Sequence, residues 1–529
     1  MTATGDRGPR SDARAAAALP ARQPFARAFI GAVVAAKLAL HLTTLAVTRF
    51  GIQRDEFLYL AMGRHLRFWR MDFPPLIAIL ANLSSALFDH SLAVVRVFPA
   101  IEGSLIVIVA AMIARELGGG RFAQSLAALC MLGNTLFLRA STLFQPVVLD
   151  QLWWTLALYA LVRLVRDDRP RWWLALGLAL GAGLLTKFSI LFFAVALLAA
   201  ILVAPTRRTL LTPWPWIAAT LALSIGSPSI VGQVALGFPV VGQMRDLQGS
   251  QLTHVTWSLF LTSQPWMVGP VPFLLASVGA ASLILWKPWR TFAVVGWTCV
   301  SAFALLFLLH GKAYYIGPIY PTLFAAGSTM LERVQWSRWT LPLRVAAVAG
   351  TLAFGLLRVP IAAPILSPEE TAAYAVRTGA ARSLTTNQGV MDRLPQDFAD
   401  MLGWDNQARA LARVVATLSP AERQRAVIFA GNYGEAGAAE FYGPRYGLPP
   451  VVSAAGSYWF FGPGELPGDV LIAIGVDSTD IAKAYDDVRP AGAINSPWSV
   501  EEERTVSLFV ARKPKQSLQQ LWPSLAGSN

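Results

Sequence analysis

Apolar residues run through the first two thirds of this chain in blocks of about 18 or more, the length at which a helix crosses a hydrocarbon core. The blocks predict about eleven membrane-spanning helices, over 28–50, 92–114, 121–141, 147–165, 171–186, 188–204, 214–234, 264–286, 291–310, 315–332 and 341–357. Between the first two blocks, the segment 51–91 carries two mixed pieces, 56–69 and 75–88, patterned as amphipathic helices lying at a membrane surface. A second long connection, 235–263, is rich in Gly, Gln and Thr.

Beyond about residue 357 the pattern changes. The runs AVIFA at 426–430 and VLIAIG at 470–475 read as buried strands. The segments 419–424 and 478–488 read as helices, each opening on a serine that can cap it. Strands alternating with helices predict a small α/β domain. The expected fold is therefore mainly α, a polytopic helical membrane protein with a small C-terminal α/β domain. Its expected divisions are a disordered basic tail at 1–27, a transmembrane part at 28–357 and a water-soluble domain at 358–529. No internal repeat is visible.

Composition supports this reading. The chain of 529 residues is 55% hydrophobic and 14% charged, with a net charge of +13. A soluble domain carries roughly 25% charged residues. The arginines gather in alternate short connections: Arg115 and Arg121; Arg166, Arg169 and Arg171; Arg207 and Arg208; Lys287 and Arg290; Arg333 and Arg338. That spacing marks the cytoplasmic side of a helical hairpin series and not a nucleic-acid surface. It places the N-terminus inside and, with an odd number of spans, the C-terminal domain outside. Cys130 and Cys299 both fall inside apolar runs, and no Cys/His cluster suggests structural zinc.

Ionisable residues near a bilayer are costly and often functional. The first long connection holds the densest set: Arg54, Asp55 and Glu56, then Asp72 in Met71-Asp72-Phe73-Pro74-Pro75-Leu76. A carboxylate there can take a proton from an attacking hydroxyl or hold a divalent cation; equally, Asp55 and Glu56 can cap a helix and Asp72 can shape a turn. Asp150 sits near the outer end of the fourth block, where it can also complement a helix dipole. Lys187 lies at the turn between the fifth and sixth blocks, placed to snorkel or to meet an anion. Lys312, in Gly311-Lys312-Ala313-Tyr314-Tyr315, can reach a phosphate or sit in an interfacial aromatic belt. Arg245 is a further phosphate partner by position. His254 could join Asp72 at a metal, or be structural.

In this order and placement, these pieces resemble the polytopic GT-C glycosyltransferases. The similarity is to the bacterial family-39 transferases related to protein O-mannosyltransferases and the lipid A aminoarabinose transferase. It rests on Asp55-Glu56, on Asp72-Phe73-Pro74-Pro75-Leu76, on Arg96, on Leu185-Thr186-Lys187-Phe188-Ser189 and on Gly311-Lys312-Ala313-Tyr314-Tyr315, over roughly residues 28 to 332. The later segments Gln396-Asp397-Phe398-Ala399-Asp400, Asn432-Tyr433-Gly434-Glu435 and Ser457-Tyr458-Trp459 resemble the C-terminal domain of a bacterial subgroup. Their glycines and aromatics suit either turns and a small core or a carbohydrate-facing surface.

The resemblance implies a multi-pass protein of the bacterial cytoplasmic membrane that transfers a sugar from a polyprenyl-phosphate donor to an envelope glycan, lipid or protein, with inversion. Asp55 would be the general base, supported by Glu56. Lys312, with Lys187, Arg245, Tyr314 and Tyr315, would hold the donor phosphate. Asp72, Pro74, Pro75 and Asp150 would position donor or acceptor. The resemblance secures no cofactor and leaves a divalent cation possible. The aminoarabinose transferases carry basic residues where this chain has Leu58 and Phe73, which speaks against the same donor sugar. A transporter or flippase of lipid-linked sugars is the alternative; repeats and midplane charges would mark it, whereas the charges here lie at the outer face.

Overall fold

The computed structural model describes residues 20–88, 92–335, 337–380 and 384–526. Most of the expected tail, 1–19, lies outside them. Residues 20–26 are held in place: Arg22 Nε donates to Glu116 at 2.6 Å, and the Ala26 amide donates to Gln124 at 2.9 Å.

Among the described residues, sixteen α-helices precede the C-terminal domain. They are α1 (Arg27–Val47), α2 (Arg54–Arg64), α3 (Leu76–Phe88), α4 (Leu92–Glu116), α5 (Arg121–Leu132), α6 (Thr135–Ala140), α7 (Pro146–Asp167) and α8 (Arg171–Leu184). After them come α9 (Ile190–Val203), α10 (Trp214–Ala235), α11 (Pro239–Ser250), α12 (Trp257–Val268), α13 (Pro270–Leu285), α14 (Ala293–Leu308), α15 (Tyr320–Arg333) and α16 (Thr340–Ala362).

Every one of the apolar blocks is helical, but not every one is a single helix. Among the described residues six helices are long and apolar enough to cross a membrane, or seven if a bent pair counts as one span. Block 121–141 breaks at Gly133 and Asn134, where the Asn134 side chain caps α6. Block 264–286 breaks at Gly269, whose φ of 96° lies where only glycine is comfortable, and α12 meets α13 at 110°. The last block continues through Pro360 to Ala362. The connection 235–263 contains α11, which buries none of its side chains.

Small residues let these helices close on one another, as expected where lipid supplies no hydrophobic drive. On α8, a Cβ at Gly177 would stand 2.6 Å from the Ala218 carbonyl oxygen of α10. Gly279 of α13 and Gly327 of α15 face the Leu323 and Leu275 carbonyls reciprocally, with no room for a methyl group at either. Backbone cannot step aside, so Gly327→Ala is expected to destabilise the protein by roughly 1–3 kcal/mol through overpacking. Thermal unfolding in detergent reads this. Gly31→Ala, where a methyl group would meet no other element within 4 Å, is the control and should not destabilise.

The C-terminal domain contains α17 (Pro368–Arg377), α18 (Gln396–Ala399), α19 (Trp404–Thr417), α20 (Pro420–Arg423), α21 (Tyr433–Tyr446), α22 (Ser457–Phe461), α23 (Ser478–Ala484) and α24 (Leu518–Leu521). Its strands are β1 (Ala426–Ala430), β2 (Val451–Ser453), β3 (Val470–Ile474), β4 (Tyr485–Asn495) and β5 (Thr505–Pro514), in the order β2-β1-β3-β5-β4. The β2-β1-β3 pairs are parallel, and β3-β5-β4 antiparallel. β1 and β3 are the strands expected from the sequence. Helix α20 opens on the Ser419–Glu422 capping box. The expected helix 478–488 stops at Ala484, and its residue before the first turn is Asp477, not a capping serine. Tyr485 onward joins β5, with Asp487 opposite Arg512, so the long cross-strand pairing overrides the local pattern.

One face of this sheet does not have its own core. Leu58, Ala61 and Met62 of α2 pack in the same buried cluster as Ile428, Ile472 and Ile474. A Cβ at Gly437 of α21 would lie 2.5 Å from Phe57 Cβ. Helix α2 has no free polar side; it is wedged between α3 and the C-terminal domain.

Candidate active site

Helix α2 begins with a capping box. The Gln53 side chain accepts the Asp55 amide at 2.8 Å, and Glu56 Oε2 accepts the Gln53 amide at 2.8 Å. Glu56 is fully buried and saturated. It takes Arg96 through two N–H groups, at 3.0 and 2.7 Å, and the Phe144 amide at 2.8 Å. Asp55, one residue earlier, is half-buried. Its Oδ1 accepts the Tyr433 hydroxyl at 2.8 Å and its Oδ2 the Gln145 amide at 3.2 Å. Each oxygen keeps a lone pair for another donor. Burial holds the Asp55 carboxyl above the usual carboxylate range; Arg54 and the Tyr433 hydrogen bond oppose this, Asp397 adds to it and Lys312 opposes it.

Asp72 lies in the turn before α3. Its Oδ2 accepts the Ser457 hydroxyl at 2.7 Å, and its backbone carbonyl accepts Gln233 of α10 at 2.5 Å. Burial pushes its carboxyl up to about 6, against the hydrogen bonds from Ser457 and the backbone. Pro74 and Pro75 are buried and lead directly into α3. The Leu76 amide donates to the Leu185 carbonyl at 2.9 Å, tying this turn to the Lys187 turn. Lys187 reaches 4.7 Å above the Tyr315 ring, a cation–π contact. Tyr314 and Tyr315 meet edge to face at 4.8 Å. The Lys312 ammonium donates to Gln251, and burial lowers it below the usual lysine range while Tyr315, Asp55 and Asp397 pull it up. Asp150 is buried in α7, accepting Trp154 Nε1–H at 3.1 Å.

The fold therefore brings Asp55, Lys312, Lys187, Tyr314 and Tyr315 into one electrostatic neighbourhood, with Asp72 fixed to its edge. It leaves Arg245 exposed on α11 with no ion pair among the described residues. His254 lies against Gly389 of the C-terminal domain, not against Asp72. Among the described residues, no three His, Cys, Asp or Glu side chains converge to hold a metal ion.

Sequence reasoning gave no role to Tyr433, Ser457, Gln145, Asp397 or Asp400, all of which the structure brings here. Arg54 stands 3.3 Å from Asp400 and also pairs with Glu502; Arg139 pairs with Asp397. Asp400 is pushed up to about 8 by burial, which Arg54 opposes and Asp55, Asp397 and Glu502 reinforce. Burial also raises Glu435 and Glu503. The folded protein thus retains protons that the unfolded chain releases as pH rises from about 4 to about 8. These groups therefore stabilise the fold more as pH falls through that window. The unfolding midpoint is expected to be higher near pH 6 than near pH 8.5, and Asp400→Asn to shrink the difference, by scanning calorimetry. An unchanged difference in the variant would assign it to other groups.

Comparison with known proteins follows the same lines. Residues 72–231 match the profile of the family described as dolichyl-phosphate-mannose-protein mannosyltransferase. The chain has the fold of the GT-C glycosyltransferases. ArnT from Cupriavidus metallidurans bound to undecaprenyl phosphate superposes with a TM-score of 0.59 at 15% identity, over 91% of this chain and 98% of that one. ArnT from the same organism in the apo state gives 0.58 at 15% identity, with the same coverage. The arabinofuranosyltransferase AftD from Mycobacteria gives 0.41 at 18% identity, over 76% of this chain and 29% of that one. No curated protein matches the sequence significantly. The protein is a multi-pass membrane protein that shares the fold of ArnT.

Proposed function

We propose that this protein transfers a sugar from a polyprenyl-phosphate donor to an envelope acceptor at the outer face of the bacterial cytoplasmic membrane, with inversion. The observation that carries the reading is the Asp55 carboxylate at the start of α2, held by the Tyr433 hydroxyl at 2.8 Å and the Gln145 amide at 3.2 Å, with Lys312, a candidate phosphate partner far away in sequence, among the charges that act on it. That ArnT was crystallised with undecaprenyl phosphate supports a donor of the same chemistry here.

In this reading the acceptor oxygen attacks the anomeric carbon and gives its proton to Asp55. The carbon–oxygen bond to phosphate breaks on the opposite face, and its electron pair leaves with the phosphate. Lys312 and Lys187 stabilise that departing charge through charge-assisted contacts, and the Tyr314 and Tyr315 rings stand beside them. Glu56, already saturated, acts by fixing the start of α2. Asp72, Pro74 and Pro75 set the turn under the donor, and Asp150 steadies α7 beneath it. Arg245, exposed on α11, is a further candidate for the donor phosphate, and His254 packs against Gly389. The loop arginines favour a cytoplasmic N-terminus and an extracytoplasmic domain over 358–529.

The test is transfer of radiolabelled sugar from polyprenyl-phosphate donors to crude envelope extract by the full-length protein in lipid vesicles. Label moved to acceptor supports the reading. Label that crosses the vesicle bilayer still joined to its polyprenyl phosphate would overturn it in favour of transport.

A further inference from the structure

The C-terminal domain reaches the base itself. Asn432 caps α21, taking the Gly434 and Glu435 amides at 2.9 and 3.0 Å, and this fixes Tyr433 at the first helical position. Glycines then bring the helix hard against α2. A Cβ at Gly434 would lie 2.6 Å from Arg54 Cγ, and one at Gly437 would lie 2.5 Å from Phe57 Cβ. The approach carries the Tyr433 hydroxyl to 2.8 Å from Asp55 Oδ1, with Arg54 5.9 Å from the centre of its ring. Gln145, at the start of α7, holds the other oxygen. The same domain gives Ser457 to Asp72.

We propose that Tyr433 is a positioning residue for sugar transfer: its hydroxyl, delivered by the C-terminal domain, orients the Asp55 carboxylate and keeps it ionised to receive the acceptor proton. This rests on the proposed function. The active site is then completed only when the C-terminal domain is docked on α2. A hydroxyl donor favours the charged form of the carboxylate it binds. The phenol itself does not ionise in this role, because Asp55 and burial both hold its proton in place. Other charged or titratable groups facing Asp55 are Arg54 on its own helix, Tyr59 one turn on, Lys312 and Tyr314 from the loop after α14, and Asp397 and Asp400 from the C-terminal domain. Tyr433→Phe leaves all of them in place and deletes one oxygen.

The experiment compares wild type with Tyr433→Phe in lipid vesicles, measuring initial transfer rates against pH. Without the hydroxyl, Asp55 stays protonated to a higher pH. The acid limb of kcat/KM is expected to move up by about one pH unit, with kcat falling near neutrality and donor KM changing less than about twofold. A second readout needs no turnover: carbodiimide with an amine labels protonated carboxyls, and peptide mass spectrometry follows Asp55 across pH. Its half-labelling point should move up by the same amount. An acid limb and a labelling point both unmoved, with only the unfolding midpoint lowered, would make Tyr433 a packing residue and overturn the proposal. If wild type transfers no sugar from any donor, the proposed function fails, while labelling still decides whether Tyr433 governs the charge of Asp55.

Discussion

Asp55→Asn is expected to lower sugar transfer by roughly 10²–10⁴-fold while the protein stays folded, the range typical of losing a general base. Asparagine has the same shape and keeps one oxygen to accept from Tyr433, so the start of α2 is retained. It cannot take a proton from the acceptor. Each tenfold in rate is 1.36 kcal/mol of barrier, so the upper part of the range is well beyond what a disturbed hydrogen bond contributes. Because burial raises the Asp55 carboxyl, wild-type activity should climb with pH through a limb above the ordinary carboxylate range. Initial rates on protein of unchanged elution and unfolding midpoint decide the matter. A loss below about tenfold would transfer the role to Asp72, the other carboxylate at this site with hydroxyl contact.

The second large effect is on stability. Arg96→Ala strands Glu56, a carboxylate with no solvent exposure, and removing one member of a buried pair costs about 3–5 kcal/mol. The site is sensitive because Glu56 also holds the Gln53 and Phe144 amides, so α2, α4 and the start of α7 loosen together. Arg96→Lys should recover only part of the loss, since one ammonium cannot reproduce the forked guanidinium contact. Arg96→Met combined with Glu56→Gln should recover more, because no buried charge remains. Chemical unfolding in detergent measures all three. Activity should fall in step with the folded fraction. A loss under about 1 kcal/mol for Arg96→Ala would mean that water reaches Glu56.

The two acidic neighbours separate for a plain geometric reason. The sequence shows Asp55 and Glu56 as one dipeptide with two readings, base or cap. On the folded helix the third helical position points back to the cap and the second does not, so Glu56 caps and Asp55 faces the site. The capping reading was available from spacing alone. The buried arginine that saturates Glu56 was not, although Arg96 stood among the family motifs.

What the sequence determined by itself is everything that depends on local free energy. In lipid every backbone polar group must be satisfied within its own segment, so each apolar block had to be helical, and each is. β1 and β3 were legible because short apolar runs bounded by polar turns suit a buried strand. The order of motifs carried the class. Tertiary structure decided what depends on partners distant in the chain. It ended the helix after Ala484, because β5 offered Tyr485 a longer pairing. It packed the apolar face of α2 into the core of the C-terminal domain. It brought Tyr433 to Asp55 and Ser457 to Asp72 across nearly four hundred residues. Hydropathy and propensity are summed over neighbours in sequence and settle which elements form. A hydrogen bond between two helices depends on their approach, here set by Gly434 and Gly437, and no local pattern encodes which surface those glycines will meet.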